Sequence, residues 1–320
     1  MNRRTLVTHL YTADPSARVV DGRIYVYCSH DIDSGIPEGD GGEHFAMRDY
    51  HVLSMDCIDG EVTDHGVALD VGEVSWASRQ MWAPDATHKN GKTYFYFPAK
   101  DHNDQFRIGV AIGESPAGPF KPRPYPIRGS YSIDPCVFED HDTHYLAFGG
   151  LWGGQLQRYR NNKAIERGHE PADHEPALSA KIARLTDDLL EFDEPPRDIQ
   201  LLDQSGTPIR AGDHDRRFFE GSWLHKRNGV YYFSYSTGNT HRICYATGDN
   251  PYGPFTYRGV ILTPVVGWTT QHSVVEVGGK PYLFYHDSQA SGGKTWLRNV
   301  KVTPLTYNAD GTIQTIDGSH

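Results

Sequence analysis

Cysteine is scarce and unpatterned in this sequence. The 320 residues include only Cys28, Cys57, Cys136 and Cys244. They form no CxxC pair and show no zinc-ligand spacing. They are expected to be reduced, buried thiols, which favours a reducing compartment. Long apolar runs are missing as well. Nothing approaches the roughly 18 consecutive apolar residues of a membrane span, so no membrane partner is expected. Arg3 and Arg4 open the chain, but Thr8, His9 and Thr12 break the segment behind them. No apolar stretch of signal-peptide length follows. The expectation is a cytoplasmic protein, or an exported one whose leader has been removed. Positive charge is also in deficit. The formal net charge is −10, which would repel phosphates and argues against a nucleic-acid partner. Helical periodicity is absent, which excludes a helical solenoid.

What the sequence has in quantity is turn and strand residues. Gly (33) and Pro (20) imply many tight turns, and 19 Tyr suit pleated faces. One pattern recurs five times: ADPSARVVDGRIYVYCS, APDATHKNGKTYFYFPA, IDPCVFEDHDTHYLAFGG, FEGSWLHKRNGVYYFSYS and QHSVVEVGGKPYLFYHD. Each copy pairs a short apolar alternation with a dense aromatic strand. The turns between them, Asp21-Gly22, Asn90-Gly91, Asn228-Gly229 and Gly278-Gly279, are hairpin signals. Residues 140–142 fill that slot in the third copy without glycine. Tyr25, Tyr94, Tyr145, Tyr232 and Tyr282 keep a fixed offset from these turns. A second hairpin is duplicated in RIGVAIGESPAGPF and RICYATGDNPYGPF. Each unit therefore holds about four strands. One such sheet cannot bury both faces alone, and stacking around a ring buries them between neighbouring blades. The expected fold is all-β, a five-bladed β-propeller forming one domain over residues 1–320, with a twisted sandwich as the competing architecture. Residues 31–49 and 161–174 read as rim loops, the first placed to cover a pocket.

The opening slot of each copy belongs on the innermost strand, which lines the central channel. It holds Asp14, Asp85, Asp134, Glu220 and His272. Converging carboxyls raise one another's pKa and weaken a fold, so their convergence signals function. A single Asp-Pro is ordinary turn chemistry. Asp85 is read that way, as a structural residue.

The motifs Ala13-Asp14-Pro15, Trp82-Ala83-Pro84-Asp85, Ser132-Ile133-Asp134-Pro135, Glu220-Gly221-Ser222-Trp223 and His272-Ser273 resemble glycoside hydrolase family 43 in order and placement. The resemblance implies a five-bladed propeller and inverting hydrolysis of xylosides and arabinofuranosides. It implies Asp14 as general base, Glu220 as general acid and Asp134 as the residue tuning the acid. It also implies Arg298 as a sugar contact and His272 as a channel residue approaching calcium, directly or through water. Ser222 stands where many members have Pro. Trp82 and Phe219, flanking motif positions, are the expected sugar-stacking residues, with Trp152 behind them. Inversion needs one ionised and one protonated carboxyl with room for water between them. An ionised Asp134 is the expected source of a raised Glu220 pKa. The expected partner is a xylo- or arabino-oligosaccharide. An arabinan endo-hydrolase and a non-catalytic sugar-binding propeller are the alternatives. Retaining fructoside propellers open on Asn-Asp-Pro-Asn, which Thr12-Ala13-Asp14-Pro15-Ser16 lacks. The run Asp31-Ile32-Asp33-Ser34-Gly35 resembles an EF-hand start, but its glycine is one position early.

Overall fold

The expected hairpin turns fold as read. In the computed structural model, which describes residues 3–166, 168–268 and 271–319, Asp21-Gly22, Asn90-Gly91, Asn228-Gly229 and Gly278-Gly279 all have positive φ. Two consecutive residues of that kind match the right-handed twist of the flanking strands. In the third copy His141 (φ 47°) and Asp142 (φ 64°) do the same without glycine.

Each turn joins the two inner strands of a blade. Blade 1 runs Tyr11–Val20, Arg23–Asp31, Asp49–Met55 and Thr63–Asp70. Blade 2 is built on Asp85–Lys89, Lys92–Asp101 and Phe106–Gly113, and blade 3 on Cys136–Asp140, Thr143–Phe148 and Lys181–Arg184. Blade 4 runs Glu220–Arg227, Val230–Ser236, Ile243–Gly248 and Phe255–Leu262. Blade 5 has His272–Val277, Lys280–Asp287 and Asn299–Pro304. Its outermost strand is Arg4–Thr5, which pairs antiparallel with Asn299–Pro304. The N-terminal segment thus closes the ring on the C-terminal blade.

The five register tyrosines occupy one position in every blade. Tyr25 pairs with Arg18, Tyr94 with Thr87, Tyr145 with Phe138, Tyr232 with His225 and Tyr282 with Val275. Apolar residues from facing sheets fill the spaces between blades. Tyr27, Tyr50, Phe95 and Phe97 form one such layer, where Phe95 stacks on Phe120 at 4.7 Å. Val26, Leu53, Tyr282 and Phe284 form another.

Asp85 is structural, as its turn context suggests. Its buried carboxylate accepts from the backbone N–H groups of Ala86 and Val137, both at 2.7 Å, from the Ser16 hydroxyl and from the Arg18 guanidinium. One side chain thereby ties blades 1, 2 and 3 together near the axis. Such a buried charge is tolerable because every oxygen is paired.

Candidate active site

Local backbone irregularity aims the acids. The register of the first blade 1 strand slips between Ala13 and Ser16, and that of the blade 4 strand between Glu220 and Trp223. A bulge of this kind turns a side chain away from the regular pleat. Asp14 (φ 56°) and Asp134 (φ 55°) both adopt the left-handed backbone conformation ahead of a proline. Such conformations concentrate at functional sites, where the surrounding structure holds them. Gly221 (φ 73°) follows Glu220, and a Cβ there would lie 2.8 Å from Gln271 Oε1. Its left-handed backbone conformation favours glycine, since any other side chain there would be strained and would have to push Gln271 aside.

Asp14, Asp134 and Glu220 all line one pocket of about 260 Å³. Trp82, Phe219, Arg298 and Trp152 line it too. Of the five slot residues, Asp85 and His272 lie outside this lining.

Asp14 is held in place from three sides. Arg298 Nη1 donates to its Oδ1 at 3.0 Å, and Ser29 Oγ donates to its Oδ2 at 2.8 Å. Its backbone N–H donates to His286 Nδ1 at 3.0 Å. Arg298 is buried and is anchored in turn by Asp31, through N, Nε and Nη2, each at 2.8 Å. The guanidinium is raised further above its usual value by Asp14 and Asp31, which outweigh burial. Arg298 is therefore a charged clamp on Asp14.

Glu220 has the opposite character. Burial, and then the Asp14 charge, push it up to about 8, against the pull of Arg298. Asp134 is also pushed well above the usual carboxylate range, by burial first and then by Glu220 and Asp14. Burial is thus the largest cause for both acids, and their mutual repulsion, expected from the sequence, adds to it. Asp134 and Glu220 titrate as a pair. Asp134 Oδ2 accepts the Gly221 N–H at 2.8 Å, which positions the backbone beside Glu220.

The pocket walls are aromatic. Trp82 donates Nε1–H to the Phe45 carbonyl at 2.8 Å and packs on Phe106 at 4.7 Å. Phe219 meets Trp152 edge-on at 5.2 Å, and Trp152 stacks on Trp268 at 5.7 Å. The second rim loop contributes Glu170, which accepts from Trp152 Nε1 at 2.8 Å. The first rim loop lines the pocket through Glu38, His44, Phe45 and Met47. Sequence reasoning placed that loop over a pocket but did not single out His44, Phe45, Trp268 or Gln271. The EF-hand-like run is engaged elsewhere: Asp31 binds Arg298, and Asp33 pairs with Lys294 at 3.3 Å.

His272 is fully buried on the inner strand of blade 5, with Nε2 2.6 Å from Ser234 Oγ. Gln271, next to His272 in sequence, and Ser222, on the inner strand of blade 4, each have a buried side-chain oxygen with no hydrogen-bond partner among the described residues. Calcium takes oxygen ligands and readily keeps waters. The two unclaimed oxygens are of the donor type that calcium takes, with water as its remaining ligands.

Residues 5–313 match the glycosyl hydrolases family 43. A xylosidase/arabinosidase of Bacteroides ovatus is 60% identical over 318 residues, 99% of this chain and 98% of that protein. A β-xylosidase of Xylanibacter ruminicola is 53% identical over 312 residues, covering 96% and 97% of the two chains. Among solved structures, a β-xylosidase/α-arabinofuranosidase from a compost microbial metagenome, in complex with xylotriose in a calcium-free form, superposes with TM-score 0.97. It is 63% identical, covering 98% of this chain and 97% of its own. The slot carboxyls, the ring of five blades and these likenesses agree, and the chain belongs to glycoside hydrolase family 43.

Proposed function

We propose that this glycoside hydrolase releases terminal pentoses from hemicellulose oligosaccharides with inversion, taking β-1,4-xylosides first and α-L-arabinofuranosides in the same pocket. The observation that carries the reading is the split character of the two acids. Glu220 is pushed up to about 8 while Asp14 is clamped by Arg298 and Ser29 in the same pocket. Glu220 donates its proton to the glycosidic oxygen as the C–O bond breaks. Asp14 takes a proton from water, whose oxygen bonds to the anomeric carbon from the opposite face. The products are the free sugar and the leaving alcohol. Asp134 acts by positioning Glu220 and sharing its titration. Trp82 and Phe219 offer apolar faces to the sugar ring. The relatives named above support the pentoside class.

The rim loop of residues 32–48 walls the pocket through Phe45 and Met47, which favours exo-action over endo-cleavage of arabinan. A panel of nitrophenyl β-D-xylopyranoside, nitrophenyl α-L-arabinofuranoside and linear arabinan tests this. Turnover is expected on both nitrophenyl glycosides, faster on the xyloside, with little release from arabinan. Rapid mid-chain cutting of arabinan with inert nitrophenyl xyloside would overturn the assignment.

Calcium, when bound, would be held by His272 with the Ser222 and Gln271 oxygens and water, and supplies positive charge near the channel axis. Chelation is expected to lower kcat/KM and added calcium to restore it, an effect that His272→Ala abolishes. Activity indifferent to both treatments would remove calcium from the account.

A further inference from the structure

On blade 1, away from the pocket, two imidazoles and a carboxylate converge. His30 and Asp49 stand across from one another on neighbouring strands, with His30 Nδ1 2.8 Å from Asp49 Oδ1. His51, two residues along from Asp49, brings Nε2 to 3.9 Å from that same oxygen. One ligand atom from each of the three lies within 4.8 Å of the others. We propose that His30, Asp49 and His51 form a binding site for a divalent transition-metal ion of the zinc class.

Three further observations support the assignment. First, the other nitrogen of His51 is already committed, since Nδ1 lies 2.9 Å from Asp64 Oδ1. Asp64 is itself held by His9 Nε2 at 2.7 Å and by the Gly66 N–H at 2.9 Å. A carboxylate behind one ring nitrogen fixes the tautomer that offers the other to a metal. Second, the side chains of His30, Asp49 and His51 keep 26%, 17% and 9% of their surface exposed. The cluster is mostly buried but partly open, so an ion can reach it from solvent. Third, Asp49 stands opposite Asp70 in the strand register. Like charges placed across a sheet destabilise it, and a bound cation would offset that cost.

The donor set selects the metal. Two imidazoles and one carboxylate suit zinc, cobalt or nickel, and a calcium ion would find too few oxygens. Bonds of about 2.0–2.2 Å require the side chains to draw together from their present spacing, with water as fourth ligand. His30 and Asp49 also flank the pocket-lining rim loop, so the ion would tie its two ends together. This site is separate from the calcium position at His272.

Titration of the full-length, tag-free, chelator-dialysed protein with Zn²⁺ and Co²⁺ tests the proposal. The wild type is expected to hold one more equivalent of Zn²⁺ than His30→Gln, Asp49→Asn or His51→Gln. It should also show a Co²⁺ visible absorption band that each of these variants loses and His272→Gln keeps. Asp64→Asn should weaken Zn²⁺ about 10–100-fold without abolishing it. His51 is the most buried of the three, so His30→Gln and Asp49→Asn decide the matter if His51→Gln fails to fold. Zn²⁺ stoichiometry unchanged in those two variants, or a Co²⁺ band lost only with His272, would overturn the site. So would a wild type that binds no Zn²⁺.

Discussion

Glu220→Gln is expected to lower kcat on an unactivated xylo-oligosaccharide by about 10²–10⁴-fold, the usual contribution of a positioned general acid. Gln keeps the shape of the side chain and its pocket contacts but has no proton to give at neutral pH. The loss should be smaller on a nitrophenyl xyloside, whose leaving group needs little protonation. Asp14→Asn should lose activity on both substrates alike, because the attacking water loses its base whatever group departs. That contrast separates the two roles. The pH dependence carries the same assignment. A general acid works only while protonated, and Glu220 is held up to about 8. Wild-type activity should therefore persist through neutrality and fall as pH rises through about 8. The residual activity of Glu220→Gln should lack that basic limb. Equal losses for both variants on both substrates, with the limb intact in Glu220→Gln, would assign the proton to another group.

Arg298→Leu is expected to destabilise the fold by about 3–5 kcal/mol, the range for stripping one partner from a buried ion pair. The reason lies in what remains. Asp31 accepts three donors from Arg298 and Asp14 at least one. Without the guanidinium, the buried Asp31 carboxylate loses two of its three bonds to residue 298 and Asp14 loses its cation, in a setting that solvates both poorly. Burial already raises Asp31 even with its partner in place. For a chain of this length that loss lowers Tm by about 4–8 °C. Activity should fall together with stability, since Asp14 loses its clamp. Arg298→Lys keeps the charge but cannot reproduce the fork, so it should lie between wild type and Arg298→Leu in both respects. Adding Asp31→Leu to Arg298→Leu should recover part of the lost stability without recovering activity. Thermal unfolding of the three variants checks the order. A wild-type Tm in Arg298→Leu would mean that the buried charges are not coupled as described.

The blades were legible because their signals are local. Asn90-Gly91 or Asp21-Gly22 between alternating apolar residues sets a hairpin within a few positions, and five copies fix the ring. Asp14, Asp134 and Glu220 were legible as one slot in that repeat, and Arg298 through the family motif. What escaped was non-local or aperiodic. The Arg4–Thr5 strand that closes the ring is two residues long and has no period to detect. Asp31 read as the start of a metal-loop-like run, while its partner Arg298 lies 267 positions away. His44 and Phe45 sit in an irregular loop, where nothing in the local pattern distinguishes a pocket wall from solvated surface. The largest cause of the Glu220 shift, burial, escaped for another reason. Asp134 is the acid that family resemblance sets beside the donor, but the shift depends on how deeply the folded pocket excludes water. Burial depth cannot be read from a motif.

The stereochemistry of the first product bears most directly on the pairing of Asp14 with Glu220. Proton NMR recorded during the first minutes of nitrophenyl β-D-xylopyranoside hydrolysis, which releases a single xylose per turnover, distinguishes the anomers before they equilibrate. Water activated by Asp14 attacks opposite the departing oxygen, so the newly released xylose should appear first as the α-anomer and drift toward the equilibrium mixture. Initial accumulation of β-xylose would mean a covalent intermediate and two displacements, and would contradict the account.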